Sequence, residues 1–73
     1  MDDLKRKIIR LKEKFQKNTR LKLISMDDIQ APPSGTFGTV VGIDDIGMIL
    51  VKWDNGSTLS LIPEEDKFKI VRQ

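Results

Sequence analysis

The hydrophobic period of the chain changes at Asn18. Before it, Leu4, Ile8, Leu11 and Phe15 recur at spacings of four, three and four. That spacing places them on one face of a helix spanning residues 2–17, with Ile9 beside the stripe. After it, apolar and polar residues alternate as they do along half-buried strands, starting with Arg20-Leu21-Lys22-Leu23. One helix followed only by strands leaves few ways to build a core. The 73 residues make one domain. At that size the hydrophobic gain and the ordering entropy nearly cancel.

The strand signals are punctuated by turn chemistry. Ser25–Gly35 holds an Asp pair, a Pro pair, Ser and Gly, and reads as a long, stiff loop. Thr36–Ile43 resumes strand character, and Gly38 and Gly42 predict a close approach and a bulge or bend. Asp44–Gly47 is a turn. Met48–Asp54 is the strongest strand, with Ile49, Val51 and Trp53 on one face. Asn55-Gly56 predicts a type I′ hairpin turn into a partner strand over Ser57–Ile62. Pro63–Asp66 reads as one helical turn, and Lys67–Val71 as a last strand. The expectation is therefore a mainly β fold: a small five-stranded Src-homology-3-like barrel (19–73) preceded by a basic amphipathic helix (1–18). Its predicted core is Leu21, Leu23, Val40, Ile43, Ile49, Val51, Trp53, Leu59, Leu61, Phe68 and Ile70. Val41, Met48, Leu50 and Ile62 then face outward, and the helix stripe is expected to cover them or to pair with a second copy.

Composition excludes the commonest catalytic chemistry. There is no Cys and no His, so a disulfide scaffold, a Cys/His zinc site, a thiol nucleophile and a Ser-His-Asp triad are all ruled out. Ser34-Gly35 is not followed by Gly-Lys-Ser/Thr, so no phosphate-binding loop is present. The domain also looks too small for a deep pocket. No apolar run is long enough for a membrane span or a secretory signal, so the expected location is the cytoplasm. No enzyme activity, cofactor, metal or membrane partner is expected.

The near-neutral total conceals a division. Residues 1–22 carry nine Lys/Arg and three Asp/Glu, while residues 23–73 carry four and eight, so a +6 segment precedes a −4 body. Lys5, Arg6, Lys7, Arg10, Lys12, Lys14 and Lys17 are candidate contacts to nucleic-acid phosphates, or the solvated face of a docked helix. Every body acid lies at a predicted turn, where Asp side chains bond nearby backbone N–H groups. A Ca²⁺ or Mg²⁺ site is the competing reading of those acids. Trp53 is either a core anchor or a half-exposed stacking platform. Phe37 is the better candidate for an exposed aromatic.

The run Leu21–Asp28, Ala31-Pro32-Pro33, Gly35-Thr36, Gly38-Thr39-Val40, Asp44-Asp45-x-Gly47 and Trp53–Ser57 resembles a small domain family of unknown function. That family occurs in bacteria, phages and integrative mobile elements. The resemblance covers about residues 19–70 and implies a small β-barrel with no defined catalytic residues. The Val51–Gly56 hairpin also looks like that of Mind-bomb/Herc-type and Tudor-like barrels, which are interaction modules. The expected function is therefore protein recognition through the barrel loops, at Met26, Asp27, Asp28, Pro32, Pro33, Phe37, Asp44, Asp45 and Trp53. Weak, sequence-independent nucleic-acid binding through the helix is the alternative, because the acidic body would repel nucleic acid. Self-association through the helix comes next, giving a monomer or weak homodimer.

Overall fold

A computed structural model describes residues 2–72. The elements, in chain order, are α1 (Asp3–Lys14), β1 (Arg20–Ser25), β2 (Phe37–Ile43), β3 (Ile49–Trp53) and β4 (Lys67–Ile70). The strands form one antiparallel sheet in the order β3-β2-β1-β4. This sheet is open. It has four strands, with β3 and β4 as edges, and the expected five-stranded closed barrel is not formed.

The missing strand is Ser57–Ile62, and local chemistry explains its loss. Of Asn55 and Gly56, only Gly56 takes a positive φ, of 94°. The Gly56 N–H donates to the Trp53 carbonyl (3.0 Å), and the Trp53 N–H donates to the Ser57 carbonyl (2.9 Å). This is the bulged three-residue hairpin loop rather than the two-residue type I′ form. Beyond it the segment bows away from β3. The Leu59 carbonyl accepts from the Trp53 indole N–H at 2.8 Å, and the Leu59 N–H turns to the Ser57 hydroxyl at 3.3 Å. The ladder returns only at Leu61, which exchanges both backbone bonds with Ile49. Trp53 thus captures the carbonyl that a continuous strand would have turned toward Val51.

The two glycines of β2 act as their positions suggest. Gly38 pairs with Trp53, and a Cβ there would lie 2.6 Å from both Trp53 Cε3 and Val51 Cγ1. The ladder register shifts between Val40 and Gly42, so a bulge lies there and leaves Val41 exposed.

The buried core is Phe15, Leu21, Leu23, Val40, Ile49, Val51, Trp53 and Leu61. Ile43 and Phe68 pack against it only partly, Leu59 is half-buried, and Ile70 on edge strand β4 is exposed. For Phe68 and Ile70 this follows from the open edge, since β4 has no outer neighbour to cover it.

α1 begins where expected. The Asp2 carboxylate accepts from the Lys5 N–H at 2.8 Å and caps the first turn. The helix ends at Lys14, and Asn18 at a φ of 76° turns the chain into β1. The Asn18 N–H donates to the Val40 carbonyl at 2.8 Å, tying the helix exit to β2. Docking is made by the C-terminal end of the stripe. Phe15 is 6% exposed and its ring centroid lies 5.5 Å from that of Phe68, whereas Leu4 is 44% exposed. Leu11 and Phe15 join the face of Leu21, Leu23 and Val40. Of the outward set, Val41 stays 51% exposed, and Met48, Leu50 and Ile62 are half-buried. Lys7 pairs with Glu64 across the fold.

Candidate functional site

A cleft of about 750 Å³ lies between the Ser57–Ile62 segment and the β1–β2 loop. This volume lies within the usual range of ligand clefts, about 300–1,000 Å³.

One wall is the start of the β1–β2 loop, at Met26, Asp27, Asp28 and Gln30. The turn there is built by Asp28, whose side chain accepts from the Gln30 N–H (2.8 Å) and whose carbonyl accepts from Ala31 (3.0 Å). Farther on, the Ser34 hydroxyl donates to the Ile24 carbonyl (2.7 Å) and the Gly35 N–H to the Leu23 carbonyl (2.7 Å). These bonds fold the loop back onto β1, and Gly35 turns with a φ of 93°. Buried Pro32 stiffens it from beneath.

The other wall runs from Ser57 to Ser60 and ends on Ile62, Glu65 and Asp66. The Ile62 carbonyl accepts from both the Glu65 and Asp66 N–H groups, and Asp66 Oδ2 accepts from the Ile62 N–H at 2.8 Å. The expected helical turn after Pro63 is present in this closed form. Met48 also lines the cleft. Its N–H is held by Asp44 Oδ1 at 2.8 Å, and the same oxygen accepts from Ile46.

The cleft is lined by both apolar and acidic side chains. Met48, Leu59 and Ile62 provide the apolar surface, and Asp27, Asp28, Glu65 and Asp66 the carboxylates. Asp28 and Asp66 each spend an oxygen on a turn. Asp27 and Glu65 make neither a side-chain hydrogen bond nor an ion pair among the described residues. No group of three or more acids there is arranged to hold a metal ion among the described residues.

The other charged contacts are structural staples away from the cleft. Arg20 donates to both oxygens of Asp54 (2.9 and 2.7 Å) and to the Thr39 hydroxyl (2.9 Å). That fork holds the Asp54 carboxyl below its ordinary range and pushes the guanidinium up. The Lys7 ammonium likewise holds the Glu64 carboxyl down.

The residues singled out from sequence are dispersed. Met26, Asp27 and Asp28 line the cleft, and Asp44 supports it through Met48. Asp45 is exposed in the neighbouring turn, Pro33 is exposed and Pro32 buried. Phe37 lies on the opposite, solvent face of the sheet. Trp53, 1% exposed, presents no edge to solvent and acts by holding Leu59. The helix cations remain exposed, apart from half-buried Lys7. Sequence reasoning missed Met48, Ser57–Ser60, Ile62 and Glu65 as one surface. Their signal was the Glu64-Glu65-Asp66 run beside a strand with Ser or Thr at three positions.

No helix among the described residues is long and apolar enough to cross a membrane. No curated protein and no solved structure matches the chain. A family described as Domain of unknown function (DUF4314) matches residues 4–71, taking in both the helix and the sheet. The chain therefore belongs to the DUF4314 family of domains of unknown function.

Proposed function

We propose that the chain is a non-enzymatic cytoplasmic binding module whose cleft takes a basic, partly apolar segment of a partner protein. The observation that carries this reading is that Asp27 and Glu65, two carboxylates without an ion-pair partner among the described residues, line one cleft together with Met48, Leu59 and Ile62. Lys and Arg side chains suit such a site, because their stems lie on apolar surface while their heads reach a carboxylate. Ile29, fully exposed at the rim, adds an apolar contact. The non-enzymatic part of the reading rests on the absence of His and Cys from the sequence.

The test is a titration of isotope-labelled protein with a peptide alternating Lys and Leu, and with its Glu/Leu counterpart. The basic peptide should shift the amides of Met26–Gln30 and Ser57–Asp66. Asp27→Asn with Glu65→Gln should weaken binding by roughly 2- to 30-fold, from two exposed charge pairs at about 0.2–1 kcal/mol each. Equal response to both peptides, or shifts elsewhere only, refutes the reading.

A further inference from the structure

The solvent face of the sheet has the opposite character to the cleft. Leu21 and Leu23 point into the core, so Arg20 and Lys22 of β1 point out. The register then sets two rows across the strands. Lys69, Lys22 and Phe37 form one, and Arg20, Thr39 and Lys52 the other. Phe37 is 39% exposed, with the Arg20 guanidinium carbon and the Lys22 ammonium each 5.8 Å from its ring centroid. Asp54, forked by Arg20, supplies the carboxylate at this face. Lys22, Lys52 and Lys69 have no ion-pair partner among the described residues.

Edge protection accounts for Lys52 on β3 and Lys69 on β4, since charged residues on edge strands discourage pairing with other chains. It does not account for Lys22 or Phe37, which lie on the central strands β1 and β2. Lys22 also stands directly opposite Lys69, and like charges in that position destabilise a sheet. An exposed aromatic that shares its face with three lysines lacking an ion-pair partner among the described residues is complementary to an unstacked base with phosphates on either side. The acidity of the body, which argues against nucleic acid at the level of sequence, is confined by the fold to turns.

We propose that this face binds single-stranded nucleic acid, with one base stacked on Phe37 and neighbouring phosphates against Lys22, Lys69 and Lys52. It is a surface separate from the cleft, and the proposal does not depend on the peptide reading. A duplex is disfavoured, because its bases are already stacked and cannot meet the ring.

The experiment titrates the full chain into labelled ten-nucleotide oligo(dT) and oligo(U), and a duplex control, by fluorescence anisotropy over a salt series. Single strands should bind at low salt, with a log–log salt slope near −2 for about three phosphate contacts. Lys22→Gln with Lys69→Gln should bring the slope to about −0.7. Phe37→Leu, at an exposed site, should leave the melting temperature nearly unchanged and weaken binding about 5- to 150-fold, the measured range for loss of one stacked base. Absence of binding at low salt overturns the proposal. So does unaltered binding by Phe37→Leu, equal affinity for the duplex, or loss of binding only when Lys5 and Arg6 on the helix are neutralised.

Discussion

Replacement of Gly38 by Ala should destabilise the protein, although Ala is the smallest side chain that can be added. The new Cβ would lie 2.6 Å from Trp53 Cε3, 2.6 Å from Val51 Cγ1 and 3.1 Å from Trp53 Cδ2. Carbon atoms pack at about 3.5–4.0 Å, so the overlap is about 1 Å on two sides. Neither neighbour can give way easily. Trp53 is 1% exposed with its indole bonded to Leu59, and both residues lie in a strand paired to β2 position by position. Overpacking of this kind costs about 1–3 kcal/mol. Loss of glycine's freedom in the unfolded chain returns about 0.4–1 kcal/mol. The net, up to about 2.6 kcal/mol and centred on about 1–2 kcal/mol, is a large part of the roughly 3–5 kcal/mol expected of so small a core. It corresponds to a melting temperature lower by about 5–15 °C. Gly42 is the internal control. It sits in the same strand, and a Cβ there meets nothing within 4 Å. Gly42→Ala should therefore be neutral or stabilising by up to about 1 kcal/mol. Urea unfolding followed by Trp53 fluorescence and by circular dichroism gives both values. In a Val51→Ala background the penalty of Gly38→Ala should shrink, with a coupling of about 0.5–3 kcal/mol. If Gly38→Ala unfolds at the same urea concentration as Gly42→Ala, the close approach of β2 and β3 is not what selects glycine.

Trp53→Phe should keep most of the core volume but orphan the Leu59 carbonyl, costing about 1–3 kcal/mol; hydrogen exchange at Ser57–Leu61 should quicken, and unchanged protection there would show that the indole bond does not hold the segment. Phe15→Ala should cost about 3–5 kcal/mol and release α1, whereas exposed Leu4→Ala should stay within about 0.5 kcal/mol; equal effects in thermal melts would mean the whole stripe is docked. The folded-state pKa values of Asp54 and Glu64 are lowered by Arg20 and Lys7, so these pairs stabilise the fold above the unfolded carboxylate pKa and lose that contribution as pH falls through the folded values. Stability should thus decline below about pH 4, and Asp54→Asn with Glu64→Gln should flatten that decline; an acid limb unaltered by both changes would place the titrating groups elsewhere.

The sequence by itself determined the elements whose cause is local. The period change at Asn18, the Asp2 cap, the alternation that buries Leu21, Leu23, Val40 and Val51, and the close approach at Gly38 all depend on a residue and its immediate neighbours. The tertiary structure decided whether the sheet closed. Ser57–Ile62 has the alternation of a strand, but its Leu59 carbonyl is taken by the indole of Trp53, a competition between side chain and backbone that periodicity does not encode. That diversion removes the expected fifth strand, and the segment becomes one side of the cleft. Charge followed the same rule. A body of net −4 reads as uniformly acidic along the chain, yet register gathers its Lys52 and Lys69 on one face with Lys22 of the preceding segment and leaves the carboxylates in turns. Composition sums charge over the chain, whereas binding depends on which charges share a surface, and only strand pairing sets that.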